Sequence, residues 1–181
     1  MLEEHVVPPK PDNSLLKEFN QLFSTNEQLQ NAATSQKGGN IITEKEVQTL
    51  CDACAGCKKV GKHIVYLENF YFLYIRSLLS KLSIHVWAPD LEEEPGFLYN
   101  ESCRTVAIMT FRQLACSGAY QYMQAKLKYL NNISLLHCTY DHYFHYLMSE
   151  KYKKEIKEAG KNLDKDQKRV SQQRRHRVRS I

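Results

Sequence analysis

Apolar residues recur at helical spacing along most of the chain, and that pattern predicts an all-α fold. From Asn13, the residues Leu15, Leu16, Phe19, Leu22 and Phe23 line one face and leave Lys17, Glu18 and Gln21 outside, with Asp12, Asn13 or Ser14 available as a cap. Thr43 and Glu46 form a capping-box pair, which predicts a short helix from about Glu44 toward Ala55. Leu67, Tyr71, Tyr74, Leu78 and Leu82, flanked by Phe70 and Ile75, predict a longer helix from about Ile64 to Leu82. "WAPDLEEEPGF" interrupts it with two prolines, a glycine and an acidic run. Asn100 or Ser102 can start the next helix, with Val106, Met109 and Leu114 inward and Ile108 and Phe111 flanking. Gly118 marks a junction before a further helix over about 119 to 130, and the Asn131–Asn132 pair predicts a turn. The last helix is expected from Ile133 through at least Tyr152, with helix-favouring Lys and Glu to about Glu158.

The polar stretches set the boundaries. Residues 1–12, with Pro8, Pro9 and Pro11, are expected to be disordered; residues 33–40, "ATSQKGGN", read as a linker; residues 159–181 hold too few apolar positions to bury a core. The expectation is an irregular helical bundle over 13–158 with a largely disordered basic tail. "LSIHVWA", 82–88, is the best strand candidate, but it has no evident partner, and no convincing strand pairing is foreseen.

Charge changes the picture at one end only. The 181 residues carry a net charge of +5. Residues 149–181 hold twelve Lys/Arg against five Asp/Glu, and residues 1–148 hold thirteen against fifteen. Lys165, Lys168, Arg169, Arg174, Arg175, Arg177 and Arg179 stand with a single acidic residue, Asp166, in the last seventeen positions. Such density releases counterions from phosphates, so contact with DNA or RNA is expected there, and the same run fits a nuclear-import patch. A solvated tail without a partner has the same composition. No stretch approaches the length of uninterrupted apolar residues that a membrane span needs.

The densest chemistry lies in "LCDACAGCKKVGKH". Cys51, Cys54, Cys57 and His63 form a candidate zinc set, and the three-residue spacing is also that of an iron–sulfur run, though the following Cys-Pro is missing. On one straight helix Cys51 and Cys57 are about 9 Å apart along the axis, too far to share an ion, so a site needs the chain to turn near Gly56. The plainer reading, and the one the capped start favours, packs the thiols as small apolar groups on one helix face. The opening "MLEEHVVPPKPD" has acidic residues and prolines where a signal peptide needs a basic and then an apolar run, so an intracellular chain with free or metal-bound thiols is expected.

A second cluster, "HCTYDHYFHY", places His137, Asp141 and His145 on one helical stripe, with Cys138 and His142 beside it. It matches neither H-E-x-x-H nor a Glu-x-x-His pattern, and the packing reading puts its histidines at the polar margins of an aromatic helix. "DLEEEP", 90–95, reads as a solvated acidic loop. No local catalytic motif such as G-x-S-x-G is present.

The block from 66 to 123 carries "ENFYF", "WAPDLEEE", "LYNESCR" and "TFRQ". In these elements it resembles a set of uncharacterised predicted proteins of mushroom-forming fungi. The resemblance implies an intracellular fungal protein and brings no activity with it. Taken together, these features point to a non-enzymatic interaction module, with nucleic acid at the tail and an unknown protein partner. The alternative is a zinc or iron–sulfur protein built on the cysteine row.

Overall fold

The structure, a computed structural model, describes residues 8, 10–35, 41–43, 45–47, 58–60, 63–65, 69–120, 126–160 and 172. The fold is all-α, a helical bundle. Helices α1 (Asn13–Leu22) and α2 (Asn26–Thr34) are followed by a short antiparallel hairpin of β1 (Lys58–Val60) and β2 (His63–Val65). Then come α3 (Asn69–Lys81), α4 (Leu98–Cys116) and a continuous C-terminal helix. That last helix comprises α5 (Ile133–Asp141), a π-helical segment (His142–Met148) and α6 (Ser149–Lys157).

Local chemistry explains most of the boundaries. Asp12 caps α1 by accepting from the backbone N–H of Ser14 at 2.7 Å and from its hydroxyl at 2.8 Å, and these bonds lower the Asp12 pKa. Asn132 caps α5 through Leu135 N–H at 3.0 Å. Both α3 and α4 end in the same way. After α3 the chain turns at Ser83, with Ile84 N–H bonded to Leu79 C=O and Ser83 N–H to Ser80 C=O. After α4 it turns at Gly118, with Ala119 bonded to Leu114 and Gly118 to Ala115. These are Schellman ends, and both pivot residues have positive φ, 83° at Gly118 and 51° at Ser83. Serine carries a Cβ into a conformation that glycine enters freely.

α4 is the central helix and packs against α1, α2, α3 and α5. The core gathers Phe19 and Phe23 of α1, Leu29 and Ala33 of α2, Leu78 and Leu79 of α3, Leu82, Ile84, and Tyr99, Cys103 and Val106 of α4. Phe19 meets Phe23 and the edge of Tyr99, each at 5.2 Å between ring centres.

The segment between α3 and α4 has no regular structure, yet it is tightly held. Asn100 is fully buried. Its carbonyl accepts from Asp90 N–H at 2.8 Å, and its amide donates to the carbonyls of Asp90 and Glu94, both at 3.0 Å. Asp90 is itself buried and turns its carboxylate onto Glu92 N–H at 3.0 Å. Tyr99 donates to Val86 C=O at 2.9 Å and the Trp87 indole to Cys103 C=O at 3.0 Å. Apart from the Asp90–Glu92 bond, which closes the segment on itself, each of these bonds joins it to α4, so two elements that are adjacent in sequence are fixed side by side.

The C-terminal helix follows an unusual period. Positions 136/137, 140/141, 144/145 and 148/149 turn inward as adjacent pairs every fourth residue. Four residues overshoot one α-turn by about 40°, so a strict α-helix would carry this row off the core within a few steps. The wider i→i+5 winding of His142–Met148 takes up that excess and keeps the row facing inward.

Several expectations are corrected. Thr43 and Glu46 do bond, through Thr43 N–H to the Glu46 carboxylate at 2.6 Å, but Lys45 and Glu46 form a turn and no helix begins there; residues 48–57 lie outside the described set. The helix expected from Ile64 starts at Asn69 instead, because Ile64 lies in β2. The hairpin was not foreseen, and the strand candidate 82–88 is irregular. Helix α2 is not expected from spacing and runs into the linker read over 33–40, taking Ala33 and Thr34 as its last turn, and of the helix expected over 119–130 the described residues show one 3₁₀ turn, Leu127–Tyr129. Just before α1, Pro11 is buried and Lys10 pairs with Glu92, so the fold begins earlier than residue 13. The buried face of α3 is centred on Phe72, Leu78 and Leu79, while Phe70 is 60% exposed.

Two substitutions test these arrangements by denaturant melting. Asn100→Ala leaves the buried N–H and C=O of Asp90 without their side-chain partner, while Glu94 C=O keeps its bond from Phe97 N–H, and should cost about 2–4 kcal/mol. Ser83→Gly relieves the positive-φ strain and should stabilise the protein by about 0.5–1 kcal/mol.

Candidate functional site

The chemically rich part of the described chain is the C-terminal helix and the acidic loop packed against it. The inward residues are committed to structure. Arg104 of α4 grips Asp141 with one guanidinium nitrogen at 2.9 and 2.8 Å from the two carboxylate oxygens, and its other terminal nitrogen bonds Glu101. Asp141, one of the three residues on the expected ligand stripe, is therefore engaged in an ion pair between α4 and α5. Phe144 is half-buried between Trp87, at 5.2 Å edge-on, and Tyr140, at 4.6 Å. Ser149 donates to Leu91 C=O at 3.4 Å and Tyr152 to the Glu92 carboxylate at 2.9 Å, so both hydroxyls tie the helix to the loop.

His145 is different. It is half-buried, and its Nε2 is shielded from solvent without a hydrogen-bond partner. Burial pulls its pKa below the ordinary value, the Asp141 carboxylate pulls it back up, Arg104 lowers it and Glu101 raises it. His145, Ser149 and Tyr152 line one side of an open cleft of about 460 Å³, and Leu91, Glu92, Glu93 and Glu94 line the other. The acidic run thus forms a wall of the cleft, anchored through the buried Asp90 and by Glu92, which also pairs with Lys10.

The outward side of the same helix has an unusual composition for a surface. His142, Tyr143, Tyr146 and Leu147 are all exposed, Tyr146 at 60% and Tyr143 at 47%. The His142 and Tyr146 rings stack at 5.3 Å with an 18° tilt between their planes. Further along, the exposed positions are Glu150, Lys153, Lys154, Ile156, Lys157 and Glu158.

The other expected site residues fall as follows. Cys51, Cys54 and Cys57 lie outside the described residues, as do Lys165, Lys168, Arg169, Arg174, Arg175, Arg177 and Arg179; His63 lies in β2. Among the described residues, no group of three or more His, Cys, Asp or Glu side chains is placed to hold a metal ion. Cys103 is buried, which pushes its thiol pKa up to about 12, while Cys116 and Cys138 are exposed. No helix among the described residues is long and apolar enough to cross a membrane. The acidic cleft was missed because "DLEEEP" reads as a loop in isolation; only the burial of Asp90 against Asn100 turns it into a wall. The comparisons add nothing to this geometry: the chain matches no family model, no curated protein and no solved structure.

His145 sets an acid limit. Its folded-state pKa lies below the unfolded value of about 6.5, so its contribution to stability is complete above that pH and is lost as the pH falls below it. Denaturation midpoints measured from pH 7.5 down to 5 should fall for the native chain and fall less for His145→Gln.

Proposed function

We propose that this chain is a non-enzymatic interaction module that contacts nucleic acid through its basic C-terminal segment. The observation that carries this is the charge distribution. Seven Lys/Arg stand against one Asp in residues 165–181, on a chain whose first 148 residues are slightly acidic. A segment of that kind gains affinity by displacing the cations condensed on a phosphate backbone, so its binding is strong at low salt and tolerant of sequence. Lys165, Lys168, Arg169, Arg174, Arg175, Arg177 and Arg179 are the contact residues in this reading. The same run would serve as a nuclear-import signal, which makes the nucleus the natural compartment for a protein of this kind. An origin among mushroom-forming fungi, suggested by residues 66–123, belongs to the same reading.

The described domain supports a division of labour. At the cleft, Ser149, Tyr152 and Glu92 are taken up by structural bonds. The helical domain would then present the tail, and the tail would supply the affinity.

Deleting residues 165–181 tests this directly. The helical circular dichroism should be nearly unchanged. Affinity for a labelled oligonucleotide should fall at least tenfold, and the dependence of log K on log salt should flatten. Equal affinity in the truncated chain would remove the tail from the contact surface.

A further inference from the structure

We propose that the outward face of the C-terminal helix is a stacking platform for unpaired bases, so that the nucleic acid held by the basic tail is single-stranded. This rests on the nucleic-acid reading above and adds to it a substrate class and a surface.

A surface helix normally turns charge to water and apolar groups to the core. Here the inward row is already filled by Tyr140, Phe144 and Met148, yet aromatic rings also occupy the outward row. Tyr143 and Tyr146 contribute little to the core at 47% and 60% exposure, so packing alone does not account for them. Tyr146 lies stacked on exposed His142, 5.3 Å away and within 18° of parallel. That arrangement is a ring already held flat, onto which another flat ring can add with little loss of side-chain freedom.

The charge along the face selects the partner. Eleven residues, about 16 Å of helix, separate Tyr146 from Lys157. Over that distance Lys153, Lys154 and Lys157 are exposed, with Ile156 between them, and the basic tail follows in the sequence. Glu150, the acidic residue among these outward positions, stands 3.9 Å from Lys154 and is offset by it. Rings followed in series by cations match a polyanion that carries flat π faces. A duplex stacks its bases on one another and has none to offer, whereas a single strand presents one at every nucleotide.

The test uses the full chain, a Tyr143→Ala/Tyr146→Ala variant and a Tyr143→Phe/Tyr146→Phe variant. Each is titrated with oligothymidine and with a duplex of equal length at several salt concentrations. The native chain should prefer the single strand. The alanine variant should lose roughly ten- to a hundredfold affinity for it with an unchanged salt slope, and the phenylalanine variant should retain the affinity, because the rings remain. Duplex binding should be the same in all three. Unchanged single-strand affinity in the alanine variant overturns the platform and leaves the tail reading intact. Loss of self-association, or of a protein partner, without loss of oligonucleotide affinity also overturns it and reassigns the face. If the native chain binds neither oligonucleotide, the tail reading fails and the platform fails with it.

Discussion

The arrangement of this fold depends on one buried side chain. Asn100 sits at the start of α4 and uses both ends of its amide on the backbone of Asp90 and Glu94. The segment satisfies part of its own backbone, through Glu92 N–H on the Asp90 carboxylate and Phe97 N–H on Glu94 C=O, but the buried N–H and C=O of Asp90 find their partner in Asn100. With Asn100 in place, the loop becomes rigid enough to serve as a wall. Leu91 and Glu92 can then receive Ser149 and Tyr152 of the last helix, and Glu92 can receive Lys10 from before the first. The outer elements are therefore placed by a polar contact, although the core itself is apolar.

A second link carries the C-terminal helix. Arg104 reaches from α4 to Asp141 with one guanidinium nitrogen between both carboxylate oxygens, and its partial burial makes the contact worth more than a fully exposed ion pair. Trp87 and Phe144 add an aromatic contact on the same seam. These anchors fix which side of the helix faces inward, and so which residues are left for a partner. The exposure of Tyr143 and Tyr146 follows from the same anchoring.

Much of the helical framework was legible from residue pattern. Asp12 caps α1 as expected, the Asn131–Asn132 pair read as a turn also supplies the cap of α5 at Asn132, and the start at Ile133 and the inward positions Val106, Leu114 and Leu78 follow from spacing. The misses have separate physical causes. Helix α2 has few apolar residues, and its signal was the Thr25 and Gln28 pair: Gln28 N–H donates to Thr25 at 3.3 Å, and Ser24 N–H donates to the Gln28 side chain at 2.7 Å. Thr43 and Glu46 carry the same kind of signal and close a turn at Lys45 and Glu46, and the residues expected to carry the helix on, 48–57, lie outside the described set. The hairpin's cue was Gly61–Lys62 between Val60 and His63, the composition of a two-residue connection. The acidic wall had no local cue, since the burial of Asp90 depends on a residue ten positions away. Of the candidate site residues, Asp141 was legible as sharing a helical stripe with His137 and His145 but not as the partner of Arg104, which lies thirty-seven residues earlier.

The four-residue period of the last helix also governs how its length can change. A seven-residue insertion, which shifts an ordinary α-helix by only about 20°, would rotate everything beyond it out of phase with the pairs at 140/141, 144/145 and 148/149. Four residues would add another inward pair and another outward pair, and would shift the lysines along the axis while leaving them on the same side. Lengthening in steps of four would thus change the distance between the exposed rings and the cationic end without disturbing the seam, a ruler graduated in the helix's own repeat.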